Sequence, residues 1–408
     1  MKTLENKRQI YKFGFYGLLK NLKFFEPFLW LYFLLNGLNL AEIGLLYAVR
    51  ETIVYVFEIP SGVFADRFGK KNELVLCFLF YIMSFVVFAL SKQFYTFMIA
   101  MVFYGFGEAF RSGTHKAMIM QFLDVNEMKE SKTQVYGLTR SYSNIGSAVS
   151  SVIGVLLILF TPDLSYLFFF AIIPYVLDLF LILSYPSYLN TKEETSFSFK
   201  SFLKQNVDSV KYTMKEKGLN ITILESASFN AVFKTIKDYI QPIVLGLGIS
   251  MILFTQLSED ENIKIYMAII YFVAQFVSIF VTRNAYKLEK YFKGSIIINT
   301  MWFATAFTAI ALGIFIHNFY IVLIAFVLFY VYLNIRKPYM VEKIGNLSAS
   351  NKRASVLSID SQITSLIIIV IAPLLGFIGD TFTIGTMMIF LGLLMLGLET
   401  VYLINKHK

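Results

Sequence analysis

The chain has 408 residues, of which 57% are hydrophobic and 15% charged, with a formal net charge of +9 and a mean hydropathy of +0.64. Soluble domains carry roughly 25% charged residues, so this composition excludes an ordinary soluble enzyme and points to a chain solvated by lipid. The bases lie in alternate gaps between apolar runs, which speaks against nucleic acid as a partner.

A membrane span needs about 20 predominantly apolar residues. Runs of that kind lie at 16–37, 42–65, 72–91, 94–120, 134–160 and 163–185, then at 218–247, 262–282, 294–315, 318–342, 354–378 and 382–403. Lys2, Lys7, Arg8 and Lys12 precede the first run with no short h-region or small-residue cleavage site, so that run is expected to stay as an anchor. Bases then recur in every second gap: Arg67, Lys70 and Lys71; Lys129 and Lys132; six lysines from Lys192 to Lys217; Arg283 to Lys293; Lys343, Lys352 and Arg353; Lys406 and Lys408. The other gaps hold few or none, and Glu259-Asp260-Glu261 is acidic. By the positive-inside rule both termini face the cytoplasm.

Charges inside the spans cost about 2.5–3.5 kcal/mol each on insertion scales, which makes them functional candidates. The first span carries Glu26, with Trp30 one turn later. In the second, Glu51, Tyr55, Glu58 and Gly62 fall at i, i+4, i+7 and i+11, on one helical face with Arg50 beside it. Two carboxylates there suit a proton-coupling site or an ion pair locking the helix to a neighbour. The fourth span repeats the spacing with Tyr104, Glu108, Arg111 and His115. Glu108 and Arg111 can pair at i, i+3, and the pair is a candidate to open for an ionic substrate. His115 reads as a packed or gate-associated residue. In the fifth span Gly146, Ser150 and Gly154 are small residues four apart, which permit close helix packing.

Residues 186–217 form the long polar stretch, with a short amphipathic helix expected around Phe199 to Met214. The seventh span offers Glu225, Asn230, Lys234, Lys237, Asp238 and Gln241; Lys234 and Asp238 stand at i, i+4, and Pro242 is placed to kink the outer end. The tenth offers Tyr330, Asn334, Arg336 and Lys337 before Pro338, the two bases suiting either a place in the cavity or snorkelling to the near interface. Asp360 and Gln362 open the eleventh.

Between the second and third spans lies Gly62-Val63-Phe64-Ala65-Asp66-Arg67-Phe68-Gly69-Lys70-Lys71, read as a tight charged loop. Gly69 permits the turn and Gly62 is expected to admit a neighbouring helix. The pattern G-x-x-x-D-R-x-G-K-K, preceded by Glu58-Ile59-Pro60-Ser61, resembles the loop signature of the major facilitator superfamily, bacterial members included. That resemblance implies an all-α membrane fold of twelve helices in two six-helix bundles, here 1–185 and 218–408 joined by the linker 186–217. It also implies a substrate cavity lined by spans one, four, seven and ten. On it, Gly62, Asp66, Arg67, Gly69, Lys70 and Lys71 form a cytoplasmic gate motif that packs against the start of span eleven. The glycine- and proline-rich motif of drug–proton antiporters is incomplete, because Asn144 to Gly154 contains no proline.

The expected function is secondary active transport of small amphipathic or zwitterionic organic solutes across the cytoplasmic membrane, coupled to protons and directed outward. The alternative is a proton-coupled importer of a nutrient or a metal chelate. Glu51, Glu58 and Glu108 are the proton-coupling candidates. Glu26, Tyr55, Tyr104, Arg111, Asn230, Lys234, Asp238, Tyr330 and Asn334 are the substrate-binding candidates. No cofactor, resident metal or catalytic residue is expected. Cys77 lies alone, and His115, His317 and His407 are far apart. An intramembrane enzyme would need a nucleophile, base and orienter, and no such constellation is present. A receptor on a transporter scaffold would bind ligand without flux. Partners are substrate, protons and lipids, and two bundles in one chain make a monomer sufficient.

Overall fold

In lipid every backbone N–H and C=O must be satisfied within the chain, so long apolar runs become helices. The computed structural model describes residues 2–128, 132–190, 208, 210–216, 218–247, 258–292, 299, 302–303, 307, 309–349 and 352–406, with helices and no strand among them. The amphipathic helix expected around Phe199 to Met214 lies largely outside the described residues, as do most of the linker 186–217 and half of the run 294–315.

In chain order the helices are α1 (Lys2–Leu19), α2 (Leu29–Leu35), α3 (Leu40–Phe68), α4 (Lys70–Leu90), α5 (Phe94–Arg111), α6 (Thr114–Val125), α7 (Lys132–Phe160) and α8 (Tyr166–Leu183). Then follow α9 (Leu219–Ile236), α10 (Ile240–Gly246), α11 (Glu259–Phe292), α12 (Ile310–Phe315), α13 (Phe319–Leu347), α14 (Arg353–Thr381) and α15 (Ile384–Lys406). Among the described residues seven helices are long and apolar enough to cross a membrane: α4, most of α7, α8, part of α11, α13, and most of α14 and α15.

Three expected spans are broken. The first stops at Leu19, where the Asn21 side chain donates to the Gly17 carbonyl at 2.6 Å. Helix resumes as a 3-10 turn over Glu26–Phe28, with Pro27 in its first turn, and continues as α2. Glu26 therefore sits exposed at a helix restart rather than in the middle of a continuous span. The fourth breaks at Gly113, whose φ of +78 is left-handed; His115 thus belongs to α6 and not to the α5 stripe. The seventh ends at Ile236, before Pro242, and restarts at Ile240.

The charged loop is shorter than expected, because α3 runs to Phe68 and α4 starts at Lys70. Gly69 alone makes the turn, at φ +98. A Cβ there would collide with the Asn190 side chain, whose Oδ1 accepts from the Lys71 N–H at 3.0 Å. Gly62 has nothing within 4 Å of its would-be Cβ, so it does not admit a close neighbour as expected.

The chain groups into two compact units, Met1–Tyr32 with Val49–Phe199, and Phe33–Ala48 with Lys200–Lys408. In the first, α4 packs on α5 and α8, and α1 on α7. Gly146 supplies the close approach its spacing implied, since a Cβ there would strike the Leu18 carbonyl. In the second, α9 packs on α14 and α11 on α13. The start of α3 joins this unit through Asp380, whose two carboxylate oxygens accept from Leu40 N at 3.0 Å and Ala41 N at 2.8 Å. Gly376 lets that backbone pass, because a Cβ on it would clash with the Leu40 carbonyl.

Candidate functional site

In the first unit the unwinding after Leu19 frees Lys23 to reach α5. Its ammonium donates to the Tyr104 hydroxyl, stands 4.0 Å from Glu108 Oε1, and lies 4.9 Å over the Tyr104 ring. Along α5, Tyr104, Glu108 and Arg111 share one face at i, i+4 and i+7. Arg111 NH2 stands 3.5 Å from Glu108 Oε1, and Arg111 Nε donates to the Tyr81 hydroxyl of α4 at 3.1 Å. That hydroxyl faces Glu108 Oε1 in turn, at 3.4 Å.

Two cations thus converge on one carboxylate, the only one within ion-pair range of either among the described residues. The group is partly open: the Glu108 and Arg111 side chains are 25% and 33% exposed. Its ion pairs are longer than the 2.7–2.9 Å of a tight charge-assisted bond. Such a site carries a local positive excess and can exchange its own carboxylate for an anionic group of a solute.

Nearby on α3, Arg50 NH2 holds Glu51 Oε1 at 2.8 Å, and Glu51 is buried. Gly105 brings α5 against this turn, since a Cβ on it would lie 2.9 Å from the Arg50 carbonyl. Tyr55 and Glu58 are half-buried further along α3. His115 stacks on Tyr16 at 3.6 Å and meets the Tyr185 hydroxyl at 3.2 Å, as a packed histidine would.

The second unit holds two polar groups. In one, Lys237 donates to both oxygens of Asp238 at 2.9 Å, while the hydroxyls of Tyr271 and Tyr47 reach Asp238 at 3.1 and 3.4 Å. The break after Ile236 makes Lys237 the partner of Asp238; Lys234, expected at i, i+4, points out exposed. In the other, Arg336 donates to Asn299 Oδ1 at 2.6 Å and to the Glu225 carbonyl at 3.2 Å, with Glu225 Oε1 at 3.5 Å. Lys343 adds a bond to Glu225 at 3.2 Å, and Asn299 bridges to Glu225 and Glu399 at 3.1 Å each.

Arg336 is 1% exposed, so it does not snorkel: α13 extends to Leu347 and places it well inside the helix. Lys337 is the exposed one of the pair. Asn334 bonds Ser278 and Thr282 at 3.0 and 3.1 Å and ties α13 to α11. Asn230 faces Ser226 at 3.4 Å, and Tyr330 packs edge-on against Phe233.

Of the gate motif, Lys71 Nζ donates to the Leu183 and Tyr185 carbonyls at 2.6 and 3.0 Å, and Lys70 reaches Gln121 at 3.5 Å. Arg67 lies 5.3 Å over the Phe68 ring. These bases are thereby committed within their own unit. Among the described residues no cluster of three or more His, Cys, Asp or Glu is placed to hold a metal.

Lys23, Tyr81, Asp178, Asn299, Glu399 and Asp380 were not singled out from the sequence, and Lys343 stood there only as a cytoplasmic base. Lys23, Asp178 and Glu399 carried the signal that selected Glu108, a charge within an apolar stretch. Asn299 and Tyr81 carried none.

The profile of the Major Facilitator Superfamily matches residues 21–335. A protein of Bacillus subtilis (strain 168), described as the uncharacterized MFS-type transporter YxaM, is 24% identical over 226 residues, 55% of this chain and 56% of that protein. The chain therefore matches little more than half the length of that relative. The crystal structure of the nucleoside transporter NupG superposes with a TM-score of 0.79 at 12% identity, over 97% of this chain and 98% of that one. A D-xylose–proton symporter gives 0.69 at 13% identity, over 96% and 97%. At such identities the structures speak for the fold alone, and the sequence profile carries the kinship: the chain belongs to the Major Facilitator Superfamily and is a multi-pass membrane transporter, not an enzyme.

Proposed function

We propose that this transporter exchanges protons for small organic solutes bearing an anionic group, whether zwitterions or organic anions, and runs as an exporter by alternating access. The observation that carries the reading is the convergence of Lys23 and Arg111 on Glu108, at 4.0 and 3.5 Å, in a partly open group lined by Tyr81 and Tyr104. A carboxylate or phosphate arriving there gains two cations, and the displaced Glu108 is then best neutralised by a proton. Binding of solute and of proton are in this way linked at one residue. Glu51 and Glu58 stand as the further proton-coupling candidates. Glu26 and Tyr55 in the first unit, and Asn230, Lys234, Asp238, Tyr330 and Asn334 in the second, stand as the further substrate-binding candidates, and the segment from Gly62 to Lys71 serves as the cytoplasmic gate. The host is the cytoplasmic membrane, with both termini inside and a monomer as the working unit of two six-helix halves, 1–185 and 218–408.

The test is proton movement in energised everted vesicles, read with an acridine-type dye. Tetraphenylphosphonium, glycylglycine, betaine, lactate and citrate represent the three charge classes. Dye recovery with the zwitterions or anions, lost in Glu108→Gln, is the expected result. Recovery with the cation alone, or with no compound, refutes it. A second reading, import by symport, is favoured by the missing proline between Asn144 and Gly154, and accumulation of the same compounds by intact cells would establish it.

A further inference from the structure

Asp178 is the one charged residue of α8, five positions before the helix ends. Its side chain is 0% exposed, and neither carboxyl oxygen has a hydrogen-bond partner. No other carboxylate among the described residues has both oxygens buried and unpartnered. The titratable groups that face it come from two packed helices and from its own exit. These are Tyr16 of α1, Lys20 just past its end, Cys77 of α4, and Tyr185 just past α8. From the described side chains of α7 none does: Arg140 is exposed, and Tyr142 packs on Phe15 and Gly14.

Lys20 is the cation of this set. Its ammonium sits 5.4 Å over the Tyr16 ring and makes no hydrogen bond or ion pair with the described residues. The Tyr175 hydroxyl of α8 donates to the Lys20 carbonyl at 2.9 Å, which fixes the two helices together beside Asp178. An ionised carboxylate buried without water, hydrogen bond or cation costs several kcal/mol. Two things remove that cost: a proton, or an approach of the Lys20 ammonium to ion-pair distance. A metal ion is poorly served, since no three ligating side chains cluster among the described residues.

We infer that Asp178 is a proton-carrying site of the transport cycle, alternating between a buried protonated carboxyl and an ionised carboxylate paired with Lys20. The inference rests on the proton-coupled reading above and adds a site apart from Glu108. In the step, the O–H bond of Asp178 breaks and the proton passes to water admitted along α1 and α8. The electron pair stays on the carboxylate, whose charge the Lys20 ammonium balances. Reprotonation from water releases Lys20 and closes the cycle.

The test is the dye assay in everted vesicles with the same five compounds, run for wild type, Asp178→Asn, Asp178→Glu and Lys20→Met. Infrared spectra of the purified wild type and Asp178→Asn proteins accompany it. Solute-dependent proton movement is expected to fall roughly tenfold or more in Asp178→Asn and Lys20→Met, and to recover at least partly in Asp178→Glu. A protonated-carboxyl band present in wild type is expected to vanish in Asp178→Asn. If wild type responds and both neutral variants match it, or if the wild-type-minus-Asp178→Asn difference spectrum contains no protonated-carboxyl band, the inference is overturned and proton coupling stands. If wild type itself moves no protons with any compound, the reading beneath it fails and the inference with it. Should Asp178→Asn not fold, Lys20→Met and Asp178→Glu decide.

Discussion

Arg336→Met removes the central cation of the buried group in the second unit. The guanidinium is 1% exposed, donates to Asn299 and the Glu225 backbone, faces the Glu225 carboxylate at 3.5 Å, and lies 3.9 Å from the centroid of the Phe229 ring. With methionine there, Lys343 is the one cation left to Glu225 and Glu399 among the described residues, and Asn299 Oδ1 loses the Arg336 donor. Breaking a buried pair from one side costs about 3–5 kcal/mol. Arg336→Lys keeps the charge but not the planar fork, and should fall between the two. Thermal unfolding in detergent, followed by tryptophan fluorescence in a Trp30→Phe background, reads the region directly. The remaining tryptophan, Trp302, is fully buried and packs 4.3 Å from the Phe229 ring. The double variant Glu225→Gln with Arg336→Met should regain roughly 0.5–3 kcal/mol over the sum of the singles. A loss below about 1 kcal/mol for Arg336→Met would refute the reasoning, because it would mean that the surrounding carboxylates do not depend on this cation.

Gly69→Ala should destabilise the first unit by about 1–3 kcal/mol, since alanine meets both a φ of +98 and the Asn190 side chain; maleimide labelling of the buried Cys77 during heating measures it. Asp380→Ala leaves the N–H groups of Leu40 and Ala41 without their acceptor. It should cost about 0.5–2 kcal/mol, as loss of a helix N-cap does, and increase amide exchange at the start of α3; unchanged exchange there would count against this role for the carboxylate.

Apolar run length and the alternation of bases were enough to foresee a multi-pass helical membrane protein, and the loop motif pointed to a transporter family. The face formed by Tyr104, Glu108 and Arg111 was equally legible, because helical spacing is a local property of the chain. What the sequence did not disclose depends on where helices stop. Apolarity does not distinguish one long helix from two short ones, so the breaks at Asn21, Gly113 and Lys237 passed unseen. Each reassigns a partner: Lys23 comes to Glu108, His115 leaves the α5 stripe, and Asp238 pairs with Lys237 instead of Lys234. Arg336 stayed open between cavity and interface for the complementary reason, since α13 continues five residues past the expected end at 342 and buries it. Asn299 and Tyr81 are polar groups whose importance arises only from what folds against them.

The two charged clusters around Glu108 and Glu225 contain similar residues yet are built for opposite ends. Around Glu225 the arginine is 1% exposed and the glutamate side chain 8%, and the contacts include bonds of 2.6 to 3.2 Å that engage Asn299, Lys343 and the backbone. Opening that network would strand several groups in a dry interior at once, so it holds helices in place. Around Glu108 the ion pairs are 3.5 and 4.0 Å long, and the carboxylate and arginine are a quarter to a third exposed. The cost of breaking them is correspondingly nearer the 0–1 kcal/mol of accessible pairs than the several kcal/mol of buried ones. On the proposed cycle, in which binding contacts break and re-form at every turnover, the Glu108 cluster is the one suited to that role. Neutralising Glu225 should therefore register first as lost stability, and neutralising Glu108 as lost coupling in a protein that still folds.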